Sequence, residues 1–222
     1  MGGDARQWRS VRSFWTVVSS RLMEAALLAI ALTAISPFPD LVQSVDVVPK
    51  DLELIGKPVA AARWTDKLGS NILVITETAR VGEASGGTKK LFGFHFVGAG
   101  RTWKRLWRTA DAVTDCEFDL ELSLVRESVS VTDLNGNGIA ETAFAYTKTC
   151  TSDVSPSELK VLLHEGDHKY ALRGSTRVQV GVDDHGKKEF EGGERTPDPA
   201  LKRAPRAFLS HALKIFDSAG GK

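Results

Sequence analysis

The sequence predicts a mainly β domain, built as an antiparallel sheet or sandwich, with a short C-terminal α-helix. Short β-branched or alternating stretches are separated by turn signals about every 8–12 residues, which is typical of antiparallel sheets. In residues 116–124, apolar and polar side chains alternate strictly, so one face of that strand is buried and the other is solvated. The composition is that of a folded domain, since 42% of the 222 residues are hydrophobic.

The predicted strands follow one another along the chain. Residues 45–62 have the pattern of an extended lead-in, and residues 71–78 are β-branched and apolar, as in a buried strand. The other predicted strands are residues 90–97, 102–109, 116–125, 128–132, 142–146, 159–163, 170–173 and 176–182.

Two segments carry helix signals. In residues 155–158, Ser155 is a cap, Pro156 occupies the first helical position and Glu158 completes a capping box, which predicts a short helix. Residues 205–217 predict an amphipathic C-terminal helix. Its apolar face consists of Leu209, Ala212, Leu213 and Phe216.

The first 44 residues differ from the remainder. Four arginines precede an uncharged apolar run at residues 25–35, and the helix breakers Pro37 and Pro39 follow. This layout is typical of a secretory signal, and the run is shorter than the roughly 20 residues that span a bilayer. We expect residues 1–44 to be a signal peptide or N-terminal anchor, cleaved between positions 35 and 45 if at all. Residues 45–222 are then a single secreted or periplasmic domain, which meets a membrane only through an uncleaved N-terminus.

The net charge and the absence of common catalytic motifs exclude several classes of function. The formal net charge is +1, which argues against a nucleic-acid partner. The sequence contains no Ser-His-Asp elbow, phosphate loop or Rossmann fingerprint. We therefore assign no catalytic residue and favour a non-catalytic protein.

The two cysteines, Cys116 and Cys150, predict one disulfide, because an even pair in an exported chain is usually bridged. Two buried free thiols are the alternative. The spacing does not fit a zinc site, since no second Cys or His lies within two to four positions of either cysteine.

Residues 133–141, Asp-Leu-Asn-Gly-Asn-Gly-Ile-Ala-Glu, form a candidate calcium loop between two strands. Oxygen-bearing side chains stand at loop positions 1, 3, 5 and 9, and the glycine at position 6 permits the sharp turn that aims them at one point. The predicted ligands are Asp133, Asn135, Asn137, the backbone carbonyl of Ile139, and Glu141.

The spacing resembles the calcium loops of integrin-type repeats and dockerins, whose consensus is D-x-D-x-D-G-x-x-D. Asn135 and Asn137 replace two of the acids and Glu141 replaces the last Asp, so two formal charges remain. Ca²⁺ affinity decreases when fewer of the ligands are charged. We therefore expect weak, structural Ca²⁺ binding, with a Kd of about 10⁻⁴–10⁻³ M. The loop is not an EF-hand, since Phe144 stands at position 12. A metal-free turn is the alternative, because Asn-Gly is a strong hairpin signal.

Two other patterns suggest binding sites. His164, Glu165 and His168 match H-E-x-x-H, which on a helix would form a zinc hydrolase site, although the intervening Gly-Asp favours a hairpin turn. Trp103, Arg105 and Trp107 could bind an anionic glycan through stacking and charge, or they could belong to a strand with one packed face.

Residues 131–174 carry a family resemblance. Their elements are VTDLNGNGIAE, Cys150, SDVSP at 152–156 and KYALRG at 169–174, with CEFD at 116–119 and PRAFLSHALKIF near the C-terminus. The chain resembles small exported bacterial proteins assigned to surface polysaccharide (lipopolysaccharide) biosynthesis. The resemblance implies a cell-envelope role, with envelope polysaccharide or an envelope protein as partner, and it implies no active site. A zinc hydrolase and a small adhesion-like module are the competing hypotheses.

Overall fold

The computed structural model describes residues 37–82, 86–99 and 102–221. The predicted signal segment lies outside this description up to residue 36. The described chain is mainly β with antiparallel pairing throughout, which confirms the predicted fold class. None of its described helices is long and apolar enough to cross a membrane.

The first sheet has five strands that pair in chain order, each with the next. They are β1 (Val42–Gln43), β2 (Lys57–Asp66), β3 (Gly69–Glu77), β4 (Gly87–Ala99) and β5 (Thr102–Cys116). β2 begins inside the predicted lead-in at 45–62, of which only the first part is irregular and includes a 3₁₀ turn at Val45–Val47. Ala62 and Trp64 are buried in one apolar cluster and Ala61 in another, so β2 packs on both faces.

The remaining seven strands form a second five-stranded sheet and a separate two-stranded ribbon. The strands are β6 (Asp119–Thr132), β7 (Glu141–Thr151), β8 (Glu158–Glu165), β9 (His168–Ser175), β10 (Val178–Val182), β11 (Lys188–Glu191) and β12 (Arg195–Pro197). The sheet order is β12-β9-β8-β7-β6, and β10 pairs with β11 in the ribbon. The hairpins predicted around residues 133–141 and 166–167 are both formed.

The two sheets pack face to face as a sandwich. Trp64, Leu73 and Trp107 of the first sheet share one buried cluster with Phe144 and Leu162 of the second. Full burial of a large apolar side chain contributes about 1.5–3 kcal/mol, so this layer is the main source of stability.

Two helices cover the outer face of the second sheet. They are α1 (Pro199–Arg203) and α2 (Arg206–Phe216), and α2 confirms the predicted C-terminal helix. Phe208 and Phe216 of α2 pack with Ala145, Val161 and Leu172 of the sheet. The alanines of β7 leave room for the helix to lie close to the strand.

The helix predicted to begin at Ser155 is wrong. Residues 155–157 are irregular and Glu158 begins β8. The Ser155 hydroxyl donates to Asp153 rather than capping a helix. Glu158 instead forms ion pairs with Lys148 and Lys160, so cross-strand pairing outweighs the local capping signal.

The predicted disulfide is present. Cys116 at the end of β5 is bonded to Cys150 in β7, with 5.7 Å between their Cα atoms. The bridge therefore ties the first sheet to the second where the chain crosses between them.

Replacing both cysteines by serine should lower the free energy of unfolding by about 3–4 kcal/mol, because the bridge closes a segment of 34 residues in sequence separation. Equilibrium urea unfolding measures the loss. In the native protein, neither cysteine should react with iodoacetamide before reduction, and labelling of both would contradict the bridge.

Candidate metal centre

The candidate loop joins β6 to β7. Its last residue, Glu141, is also the first residue of β7 and forms a cross-strand pair with Thr132, the last residue of β6. Gly136 and Gly138 have φ angles of 71° and 78°, a left-handed conformation that other residues rarely adopt. The two Asn-Gly pairs therefore fold the chain into consecutive tight turns.

The predicted side-chain ligands turn oxygen atoms toward the loop's own backbone. Asp133 Oδ2 accepts from the Gly138 amide at 3.0 Å. Asn135 Oδ1 accepts from the Asn137 amide at 3.0 Å, and Asn137 Oδ1 accepts from the Ile139 amide at 2.7 Å. These bonds hold three of the predicted ligands in fixed orientations.

Glu141 is the most unusual residue of the loop, because its side chain is completely buried. Its Oε2 accepts from the Leu134 amide at 2.7 Å, whereas Oε1 has no hydrogen-bond partner among the described residues. Asp133 Oδ1 is likewise buried without a partner in the described chain. Buried polar atoms are nearly always paired, so two unpaired carboxylate oxygens in one loop need an explanation.

The electrostatics of the loop favour a bound cation. Burial, together with the neighbouring charges of Glu165 and Asp133, raises the pKa of the Glu141 carboxyl to about 7. Glu141 and Glu165 also lie directly opposite each other on β7 and β8, where like charges are destabilising. A positive ion at Glu141 would reduce both costs.

The donor atoms of the loop are hard oxygens, the kind that Ca²⁺ binds. Among the described residues, no three His, Cys, Asp or Glu side chains are grouped so that they could hold a metal ion, the acids of the loop included. The loop instead offers two carboxylates, two amides and a carbonyl, and Ca²⁺ accepts six to eight such hard oxygens, with water completing the shell.

Three residues outside the motif support the loop. Asp66 Oδ2 accepts from the Ala140 amide at 2.9 Å, and the Lys67 amide donates to the Gly138 carbonyl at 2.9 Å. The Lys67 ammonium group also donates to the Asn137 carbonyl. Glu165 contacts the loop from β8. No local pattern reveals these partners, because they are separated from the loop by many residues in sequence.

The H-E-x-x-H residues lie on a strand, a turn and a second strand. Glu165 and His168 are a cross-strand pair of the hairpin, but the three side chains do not converge, because His164 is on the opposite face of the sheet. His164 faces the sandwich core, where its ring stacks on Trp107 with 3.9 Å between centroids. Glu165 is the next residue of the strand and points to the opposite face. His168 is largely exposed and pairs with Asp167.

His164 and His95 belong to an aromatic core cluster. His95 Nε2 lies 2.9 Å from Asn71 Oδ1, and Trp107 contacts both histidine rings. Burial lowers the pKa of His95 to about 4 and that of His164 to about 3. Both rings are therefore neutral packing groups at physiological pH.

A bulge separates the tryptophans that were candidates for glycan binding. Arg105 pairs with Phe96 and Trp107 pairs with His95, so Leu106 is the extra residue on β5. Trp107 is consequently buried in the core, whereas Trp103 packs on the outer face with Ile72. The predicted side-by-side aromatic surface is not formed.

An open groove of about 1000 Å³ lies on the first sheet instead. Its lining includes Phe92, Lys90 and Arg108, with the hydroxyl-bearing Thr78 and Thr88. The Arg108 guanidinium lies 4.9 Å from the centre of the Phe92 ring. The groove therefore presents two basic side chains and hydroxyl groups, with the acidic Asp111 also in its lining, while the Phe92 ring is buried beneath Arg108.

Comparisons of the chain with protein-family models, with curated proteins and with solved structures gave no match. We therefore infer the function from the geometry of the loop, the groove and the disulfide.

The buried histidines predict acid sensitivity. Below the ordinary histidine pKa of 6.5 the unfolded chain takes up a proton at this position, whereas folded His164 stays neutral down to about pH 3. Its contribution to stability is complete above pH 6.5 and is lost as the pH falls toward 3. In His164→Gln, stability should fall less steeply in this range, by about 1.4 kcal/mol per pH unit.

Urea unfolding between pH 4 and 7 measures this slope. The control is His168→Gln, which removes the exposed histidine of the same hairpin and should leave the slope unchanged. Equal slopes in native protein and His164→Gln would contradict the prediction.

Proposed function

We propose that this chain is an exported, non-catalytic cell-envelope protein whose β6–β7 loop binds Ca²⁺ as a structural ion. The observation that carries the proposal is the pair of buried, unpartnered carboxylate oxygens, Glu141 Oε1 and Asp133 Oδ1, within a loop of calcium-type spacing. Leaving two such acceptors unpaired costs several kcal/mol, and a cation satisfies both at once.

Five residues would hold the ion. Asp133 and Glu141 supply charge, Asn135 and Asn137 supply amide oxygens, and Ile139 supplies its backbone carbonyl. When bound, Ca²⁺ supplies positive charge that neutralises the buried carboxylates. The chain's contribution is to join the ends of β6 and β7 around that charge, which fixes the hairpin against the β2–β3 turn through Asp66 and Lys67.

Export is supported by two features. A disulfide persists in oxidising compartments such as the periplasm and the extracellular space. The basic and apolar N-terminal pattern is typical of a secretory signal.

An acidic envelope polysaccharide is the ligand that the groove suits. Lys90 and Arg108 would pair with its negative groups, and the hydroxyl groups of Thr78 and Thr88 would hydrogen-bond its sugar hydroxyls. This assignment agrees with the family resemblance of residues 131–174. It involves neither nucleic acid nor any membrane contact beyond an uncleaved N-terminus, and an envelope protein is the alternative partner.

Calcium should raise the melting temperature. At about 10 mM Ca²⁺ and the expected affinity, mass action stabilises the fold by about 1.4–2.7 kcal/mol, or about 3–10 °C in Tm. Glu141→Gln keeps the size of the side chain but removes its charge, so it should abolish the shift. Differential scanning fluorimetry in EDTA, Ca²⁺ and Mg²⁺ measures this.

Glu121→Gln is the matched control, since Glu121 is an exposed acid at the far end of β6. It should show the full shift. An equal Ca²⁺ response in native protein and Glu141→Gln would exclude the loop as the site.

The mature N-terminus should lie before Phe38. Phe38 is buried in the main core, the Asp40 carboxylate accepts from the Thr65 amide at 3.1 Å, and β1 pairs with β2. Cleavage near position 45 would remove all three contacts. Intact mass and N-terminal sequencing of protein recovered from the periplasm or medium should therefore give a first residue no later than Phe38, and a start at 45 would argue against this account.

Binding of an acidic polysaccharide should depend on the groove. The Lys90→Gln/Arg108→Gln double variant should bind an acidic polysaccharide such as alginate at least tenfold more weakly than native protein, since two charge contacts are lost. Affinity electrophoresis with Ca²⁺ present measures retardation. Lys187→Gln/Lys188→Gln, in the β10–β11 ribbon, is the control with the same charge change. Equal retardation of both double variants would reject the groove.

A further inference from the structure

We infer that Glu165 of β8 is a positioning residue of the calcium site: it holds the amides of Asn135 and Asn137 with their oxygens free for the ion, and it supplies the negative charge that these two ligands lack. This inference rests on the proposed Ca²⁺ function of the loop. It gives a role to a residue that the sequence placed in a zinc motif.

The geometry of the two amides carries the inference. Glu165 Oε1 accepts a hydrogen bond from Asn135 Nδ2 at 2.6 Å and another from Asn137 Nδ2 at 2.6 Å. An amide whose nitrogen is held by a carboxylate must turn its oxygen to the other side. Each oxygen accepts one backbone N–H of the loop and keeps a second lone pair for a cation.

The number of carboxylates around the loop also points to Glu165. The consensus calcium loop has acids where this chain has Asn135 and Asn137, so the loop alone carries only the charges of Asp133 and Glu141. Glu165 adds a third carboxylate next to these two amides. Its charge-assisted hydrogen bonds also make the amide oxygens better donors to a metal, as outer-shell carboxylates do for other ligands.

An independent observation indicates that a ligand belongs here. Glu141 is fully buried, and its Oε1 has no partner in the described chain. Glu165 lies opposite Glu141 on the neighbouring strand, so in the absence of an ion it adds a repulsive charge to a buried carboxylate. In the metal-free loop, Glu165 thus combines two hydrogen bonds with a repulsion that a bound cation would relieve.

The test is a Ca²⁺ titration of the melting temperature, from micromolar to 100 mM, in three forms of the protein. Glu165→Gln should shift the Ca²⁺ midpoint about 10–100-fold upward, which is the usual effect of losing an outer-shell partner. Its Tm in EDTA should equal or exceed that of native protein, since a repulsive charge is removed. Asp167→Asn removes an exposed charge from the same hairpin and should change neither value.

A rescue variant separates positioning from a general electrostatic effect. Asn137→Asp in the Glu165→Gln background moves the carboxylate into the loop, and it should restore the Ca²⁺ midpoint to within about threefold of native. In the native background, the same substitution sets Asp against Glu165 and should give no gain.

Two results would overturn the inference while leaving the calcium function intact. One is a native Ca²⁺ midpoint in Glu165→Gln, and the other is a loss of Tm in EDTA that accounts for the whole effect. If native protein shows no Ca²⁺ response at all, both the proposed function and the role of Glu165 fail.

Discussion

Burial of β7 on both of its faces is the constraint on which the rest of the structure depends. Phe144 and Tyr146 fill the space between the two sheets, while Ala143 and Ala145 lie beneath α2 on the opposite face. This burial includes the first residue of the strand, Glu141, whose side chain has no exposed surface. The preceding loop must therefore accommodate its carboxylate.

This constraint connects the fold to the proposed site. A buried carboxylate is stable only if it is protonated, hydrogen-bonded or paired with positive charge. The loop pairs one oxygen of Glu141 with the Leu134 amide and leaves the other unpaired. The nearby Lys67 ammonium group donates to a backbone carbonyl of the loop. The proposed Ca²⁺ ion would satisfy the remaining acceptors.

Much of the architecture follows from local patterns. Helical spacing in 205–217 predicts α2. The alternation in residues 116–124 predicts one strand, which is correct from Asp119 onward, whereas Cys116 ends β5 and Phe118 is exposed in the turn between the strands. The predictions fail where distant contacts decide the outcome. The helix signal at Ser155 is overridden because Glu158 pairs with lysines on its own strand and on the adjacent strand. The bulge at Leu106 places Trp103 and Trp107 on opposite faces of the sheet, where regular alternation predicts one face.

Some residues of the candidate site can likewise be identified from the sequence, and others only from the fold. The spacing of Asp133, Asn135, Asn137 and Glu141 is visible in the sequence, because these ligands lie within one loop. The roles of Lys67 and Glu165 depend on the β2–β3 turn and on β8, which reach the loop only through sheet pairing. The aromatic setting of His164 is likewise a product of packing between sheets, and it explains why an H-E-x-x-H sequence forms no zinc site in this hairpin.

A crystal structure of the purified protein grown with about 10 mM CaCl₂ tests the central claim most directly. The account predicts one ion per chain within about 2.3–2.6 Å of Asp133 Oδ1 and Glu141 Oε1. The same loop holding a water molecule or a protonated Glu141 at that concentration, with no ion bound to either oxygen, would contradict it.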